Sequence, residues 1–269
     1  MGRKPRLILE SGMTSPLGYV EECQYRASPE VVEKAVATGA CELAYQPIML
    51  ATDPGTASYY EGLIRIFDPK NRIIPARDFI HMVEDTETGR QIDLLALTKT
   101  IRTLEKTPGL HLSVNASARS IGYAPWTDKL SKAVRKSPDL ARRMTIEISE
   151  KSVMLLPEIA ARFISDMQPT GLRFSLDNFG VGLTSIQHLR DIPFETLKLD
   201  GRYIRGVADS SKNQGVVQGV ISLAHHLGMN VIAEMVECKS DMHWLQRAGI
   251  AGLQGYLFGI PTLHPKWDA

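Results

Sequence analysis

The chain has 269 residues, is 43% hydrophobic and 23% charged, and carries a formal net charge of +1. These values fit a globular protein of one β/α barrel's length and exclude a bulk field toward nucleic acid or an anionic membrane. Cys23, Cys41 and Cys238 have no paired spacing, which argues against a disulfide framework or zinc site and for a reducing compartment, and no apolar run predicts a transmembrane helix.

Residues 1–27 carry Gly2, Pro5, Gly12, Pro16 and Gly18 with weak periodicity and read as an irregular extension without a signal-peptide core. Residues 28–269 read as one barrel domain. Ser28-Pro29-Glu30 predicts a helix start, and Gly39 its end. Strands are predicted over 43–50 and 59–67, joined through a turn at Asp53-Pro54-Gly55. That connection is too short for a helical crossover, so the pair should be an antiparallel hairpin.

Helical segments are expected at 75–83 and 93–104, a strand at 111–115, and a helix at 126–136 broken by Ser137-Pro138. The basic stretch 132–143 reads as a solvated helix and loop face. A strand at 144–148, a helix running to about residue 167 and a strand at 172–176 follow. After a glycine-bearing loop at 177–183 come a short helix at 184–189 and a strand at 197–199. A helix at 215–227, a strand at 230–234, a helix at 240–248 and a last strand at 252–258 complete the chain. This alternation predicts an α/β fold, a (β/α)8 TIM-like barrel with an antiparallel first strand.

Oxygen-rich or cationic residues recur at the strand ends: Glu61, Asn115, Glu147, Asp177 with Asn178, Lys198 with Asp200, Glu234 with Glu237, and Gln254. Converging at one barrel mouth, such residues can hold hard divalent cations and carry phosphoryl chemistry. Glu147 and Glu150 are an odd number of residues apart, so one strand cannot aim both inward; one is a ligand candidate and the other structural. Lys198 stands between apolar neighbours, where it needs a charge partner. Glu61 is expected at the barrel mouth rather than in the core.

The ordered set Tyr45-Gln46-Pro47-Ile48, Glu61-Gly62-Leu63-Ile64-Arg65, Ser113-Val114-Asn115-Ala116-Ser117, Glu147-Ile148-Ser149-Glu150, Asp177-Asn178-Phe179-Gly180-Val181-Gly182, Lys198-Leu199-Asp200, Ala233-Glu234-Met235-Val236-Glu237 and Gln254-Gly255-Tyr256 closely resembles the EAL-domain family. The resemblance covers roughly residues 30–262. It implies a bacterial cytoplasmic role with the second messenger cyclic di-GMP, which active members hydrolyse to linear pGpG with two Mg2+ or Mn2+ ions. It implies Glu61, Asn115, Glu147 and Asp177 as ligands of the first metal. Asp177, Asn178 and Glu234 would serve the second, and Lys198 would hold the attacking water, with Glu234 and Glu237 at the catalytic centre. Gln46, Glu61, Leu63, Arg65, Asn115, Asp200, Glu237 and Gln254 are the implied substrate contacts, Arg65 at a phosphate. A homodimer through the surface near residues 178–185, and a protein partner, are further implied partners.

The chain departs from the family pattern at Gly62, where the signature has Ala, at Met235, where it has Gly, and at Val181, where Thr is usual. The main departure is Asn178, where active members carry a second Asp; the amide supplies an oxygen but no charge, so weaker occupancy of the second metal is expected. Two readings therefore stand: a phosphodiesterase slowed at the second metal, and a catalytically silent cyclic di-GMP receptor.

Overall fold

The computed structural model describes residues 27–182, 185–265 and 267. The extension read over residues 1–27 lies outside the described residues except for its last position, as do residues 183 and 184 of the predicted 184–189 helix and its approach. The strands are β1 (Cys41–Leu50), β2 (Ala57–Phe67), β3 (Ile73–Pro75), β4 (Leu112–Asn115), β5 (Met144–Ser149), β6 (Arg173–Phe179), β7 (Thr196–Leu199), β8 (Asn230–Ala233) and β9 (Gly252–Gln254). The helices are α1 (Pro29–Thr38), α2 (Ile80–Val83), α3 (Glu87–Lys106), α4 (Ala118–Ile121), α5 (Ala124–Lys136), α6 (Pro138–Arg142), α7 (Glu150–Leu155), α8 (Pro157–Met167), α9 (Ile186–Asp191), α10 (Gly201–Ile204), α11 (Ser211–His226) and α12 (Lys239–Arg247).

The sheet runs β1-β9-β8-β7-β6-β5-β4-β2-β3, and pairing of β1 with β2 closes it into a barrel. β1 is antiparallel to both its neighbours, with Gln46 opposite Glu61, whereas β2 and β4 to β9 pair in parallel. The reversed first strand is what the short first connection predicted. β3 extends the C-terminal end of β2 and lies outside the closed ring.

Strand periodicity sorts the two faces. Val114, Ile146, Ile148, Phe174, Leu176, Leu197, Leu199 and Val231 face outward and are buried against Leu97, Leu104, Trp126, Leu130, Ile164, Val217 and Leu245 of the helices. Fully burying one such side chain is worth about 1.5–3 kcal/mol. The alternate residues, Glu61, Ser113, Asn115, Glu147, Ser175, Lys198 and Gln254, turn into the barrel. A polar interior is therefore fixed by the same alternation that builds the apolar shell.

Several boundaries differ from the sequence reading. The predicted 75–83 helix is the short strand β3, a 3-10 turn at Ala76–Asp78 and the single turn α2. The helix expected to run to residue 167 is split into α7 and α8, because Leu156, just before Pro157, leaves the helical region at φ −141°, ψ 62°. The last strand ends at Gln254 rather than at residue 258, and β6 runs on through Asp177 and Asn178 to Phe179.

Candidate functional site

Lys198 is the centre of the barrel interior. It is 1% exposed, and its ammonium lies 3.0 Å from Glu61 Oε2, 2.7 Å from Glu147 Oε2, 3.2 Å from Asp177 Oδ1 and 3.2 Å from Glu234 Oε1. The charge partner demanded by its apolar neighbours is thus four carboxylates from β2, β5, β6 and the end of β8. With all ionised, the site holds three negative charges in excess. Glu61 is buried rather than exposed at the mouth, which corrects the expectation for its surroundings; its carboxylate accepts hydrogen bonds from Asn115 Nδ2 at 2.8 Å and Gln254 Nε2 at 2.7 Å as well as from Lys198. Gln254 also reaches Gln46 Oε1 at 3.3 Å, and Gln46 Nε2 donates to the Gly259 carbonyl at 3.1 Å.

Two neighbours in sequence normally face opposite sides of a strand. At Asp177-Asn178 the register between β6 and β7 shifts, three steps on β6 matching two on β7 between Leu176↔Leu197 and Phe179↔Leu199. Asn178 takes a left-handed φ of 56° at this irregularity, and its amide donates to Asp177 Oδ2. Bulges re-aim side chains in this way. The loop that follows is held by Glu150, whose Oε2 accepts from Gly180 N at 2.9 Å and Gly182 N at 2.7 Å. Glu147 is therefore the inward member of the pair and Glu150 the structural one. Gly180 has φ 93°, and a Cβ there would lie 2.5 Å from the Tyr203 ring.

The remaining predicted site residues stand apart from this cluster. Leu63 and Arg65 share the inner face of β2 with Glu61 but lie further along the strand. Asp200 caps α10, accepting from Arg202 N at 2.8 Å. Glu237 is ion-paired to Arg205 at 2.9 Å near the surface. Met235 keeps a glycine-like φ of 55°, and its side chain fills the space over Gly201, where a Cβ would meet Met235 Sδ at 2.5 Å. Sequence reasoning missed Tyr59, which strand period places on the face of Glu61 and whose buried hydroxyl has no protein partner.

Burial pushes Glu147 up to about 8, the charges of Glu61 and Asp177 adding to it against Lys198. Burial also raises Asp177 and Glu234 against the pull of Lys198. For Glu61 burial acts upward too, but Lys198 and the bonds from Gln254 and Asn115 outweigh it and hold its carboxyl below the usual range. Burial disfavours the Lys198 charge, yet the four carboxylates hold its pKa well above the ordinary lysine value. Lys198 and Glu61 thus have their charged forms favoured, whereas burial disfavours ionisation of Glu147, Asp177 and Glu234.

As they stand, no three His, Cys, Asp or Glu side chains among the described residues converge in ion-holding geometry, since the oxygens turn to Lys198. The donor set nonetheless fits a hard divalent cation. It is all oxygen, with four carboxylates around one ammonium, and Glu147 Oε1 is buried without a hydrogen-bond partner.

Between pH 4.5 and about 8 the folded state binds a proton at Glu147 that the unfolded chain has released. The stability this contributes is complete below 4.5 and lost as pH rises through about 8. The melting temperature of chelated protein is therefore expected to fall across that window, and saturating Mg2+ should reduce the fall by replacing the protons. Calorimetry in chelator showing a rising profile would contradict the assignment.

The EAL domain family model matches residues 30–261. Cyclic di-GMP phosphodiesterase NbdA of Pseudomonas aeruginosa is 27% identical over 237 residues, covering 86% of this chain and 30% of that protein. Cyclic di-GMP phosphodiesterase PdeR of Escherichia coli is 27% identical over 234 residues, covering 86% of this chain and 35% of its own. The chain thus spans about a third of the length of these curated relatives. The structure of the PaMucR phosphodiesterase in complex with c-di-GMP superposes with a TM-score of 0.78 at 26% identity, over 87% of this chain and 96% of that one. Among the described residues no helix is long and apolar enough to cross a membrane. With the matched model spanning nearly the whole barrel, the chain belongs to the EAL domain family.

Proposed function

We propose that this barrel binds cyclic di-GMP and hydrolyses one of its two phosphodiesters, water adding across the P–O bond to give linear pGpG. The observation that carries the reading is the buried Lys198 ammonium surrounded by Glu61, Glu147, Asp177 and Glu234. Relatives named for this activity and the cyclic di-GMP complex of PaMucR support it. Glu61, Asn115, Glu147 and Asp177 would hold one Mg2+ or Mn2+, and Asp177, Asn178 and Glu234 a second. Bound there, the cations would polarise the phosphodiester and lower the pKa of the attacking water.

The chain's own residues do the rest. Glu61 is fixed by Asn115 and Gln254, so it presents a preset ligand. Lys198 keeps its proton and offsets charge that develops on the phosphoryl oxygens. Gln46 and Gln254 supply amides beside the same wall for the nucleotide. Arg65 would take a phosphate, and Glu237 would reach the ligand only after leaving Arg205.

One observation favours a second reading, a receptor that binds without cutting: Asn178 stands at the strand irregularity with a neutral amide that points its donor at Asp177. Asn178→Asp is therefore expected to lower the half-saturating Mg2+ concentration and raise the rate. About 1.4 kcal/mol of added transition-state stabilisation gives roughly tenfold. Metal titration by thermal shift, beside turnover, reads both; if neither moves, Asn178 is not what limits activity. The reading as a whole is tested by titrating cyclic di-GMP into the protein with Ca2+, where saturable 1:1 binding is expected and its absence would remove both readings.

A further inference from the structure

A second group of charges lies on the rim of the barrel, outside the carboxylate cluster. Arg65 is half-buried, and the side-chain bond it makes is to the Ile64 carbonyl at 2.9 Å. Among the described residues no carboxylate forms an ion pair with it. Arg65 is paired in register with Pro75 of β3, so the 3-10 turn that follows brings Arg77 onto the same stretch of rim. Arg77 is exposed, and its guanidinium donates to the Tyr256 hydroxyl at 3.2 Å, with Asp78 at 3.5 Å as a loose, solvent-facing neighbour. Tyr256 lies two residues beyond Gln254, which is bonded to Glu61 at 2.7 Å. A continuous path therefore leads from the Lys198 cluster through Glu61 and Gln254 to Tyr256 and Arg77.

A half-buried guanidinium without a carboxylate, beside a second cation, is unfavourable unless an anion enters. Burial and the neighbouring Arg77 together hold the Arg65 pKa below its ordinary value. The cyclic dinucleotide carries two phosphodiesters with one negative charge each. The carboxylate cluster and its cations would take the one that is cut, and the other needs cationic donors some distance away. Guanidinium groups suit it, since their planar fork matches two phosphate oxygens.

We propose that Arg77, oriented by the Tyr256 hydroxyl, contacts the ligand directly and with Arg65 clamps the phosphodiester that is not cut. The assignment rests on the cyclic di-GMP reading above. It gives the hydrogen bond from the exposed Arg77 guanidinium to the Tyr256 hydroxyl a role in the ligand site.

The test is calorimetric titration of cyclic di-GMP in Ca2+ into the wild-type chain, Arg77→Gln and Tyr256→Phe. Arg77→Gln is expected to weaken binding about tenfold, as for loss of one charge-assisted contact, and Tyr256→Phe about threefold. Melting temperatures should be unchanged, because Arg77 is exposed. In Mn2+ turnover Arg77→Gln should raise KM with kcat within about twofold, since the contact is equal in ground and transition states. Wild-type binding with unchanged affinity in Arg77→Gln overturns the Arg77 assignment alone. Absence of binding by the wild type overturns the cyclic di-GMP reading, and the assignment with it.

Discussion

Replacing Lys198 with methionine is expected to lower stability and activity together, more than any other single change. The ammonium is 1% exposed and touches four carboxylates within 3.2 Å. Methionine keeps an unbranched chain of similar length but removes the only buried cation of the cluster. Breaking a buried ion pair from one side costs about 3–5 kcal/mol, because the abandoned charge stays buried. For a domain of this size that is roughly a 10 °C fall in melting temperature. The loss should be largest above pH 8, where Glu147 has released its proton, and smaller in acid, where carboxyl protons offset the missing charge. Hydrolysis in excess Mn2+ should fall on the order of 10²–10³-fold, as when one fixed electrostatic contact to a transition state is removed. A variant as stable as wild type at high pH in chelator would show that Lys198 does not neutralise the site.

Glu61→Ala should be the next most damaging. Glu61 accepts from Asn115, Lys198 and Gln254 at 2.8, 3.0 and 2.7 Å. Its loss leaves the Asn115 amide without an acceptor, at about 1–3 kcal/mol before relaxation, and takes one acceptor each from Lys198 and Gln254, which keep Glu147 and Gln46. Metal affinity should drop as well, since one of the preset carboxylates is gone. Glu61→Gln separates the two effects. It keeps the volume and one acceptor oxygen, so stability should be largely recovered while metal-dependent turnover stays on the order of 10²-fold low. Turnover restored by glutamine would mean that the Glu61 charge is not a ligand requirement.

Sequence alone was informative wherever one physical constraint dominated. The short turn between the first two strands forces an antiparallel pair, and β1 is reversed. A lysine flanked by Leu197 and Leu199 needs buried anions, and it has four of them. Parity separated Glu147 from Glu150, though only the fold shows which one turns inward. What was hidden depends on long-range packing. Nothing local marks 73–75 as a strand, because β3 exists only by pairing with the far end of β2. The bulge that aims both Asp177 and Asn178 comes from β7, about twenty residues away in sequence. Glu237 was grouped with Glu234 by spacing, but Met235 turns the chain at φ 55° and Glu237 meets Arg205. Arg77 carried no signal, since its meaning comes from Arg65 across a strand pair and Tyr256 across the mouth.

The most direct test of the proposed chemistry is formation of linear pGpG from cyclic di-GMP, followed by chromatography across a Mn2+ titration, with Lys198→Met as the blank. Turnover by the wild-type chain that rises with Mn2+ and is lost in the variant is the expected result. No pGpG at any Mn2+ concentration, from protein that binds cyclic di-GMP in Ca2+, would contradict hydrolysis at the Lys198 cluster and leave the receptor reading.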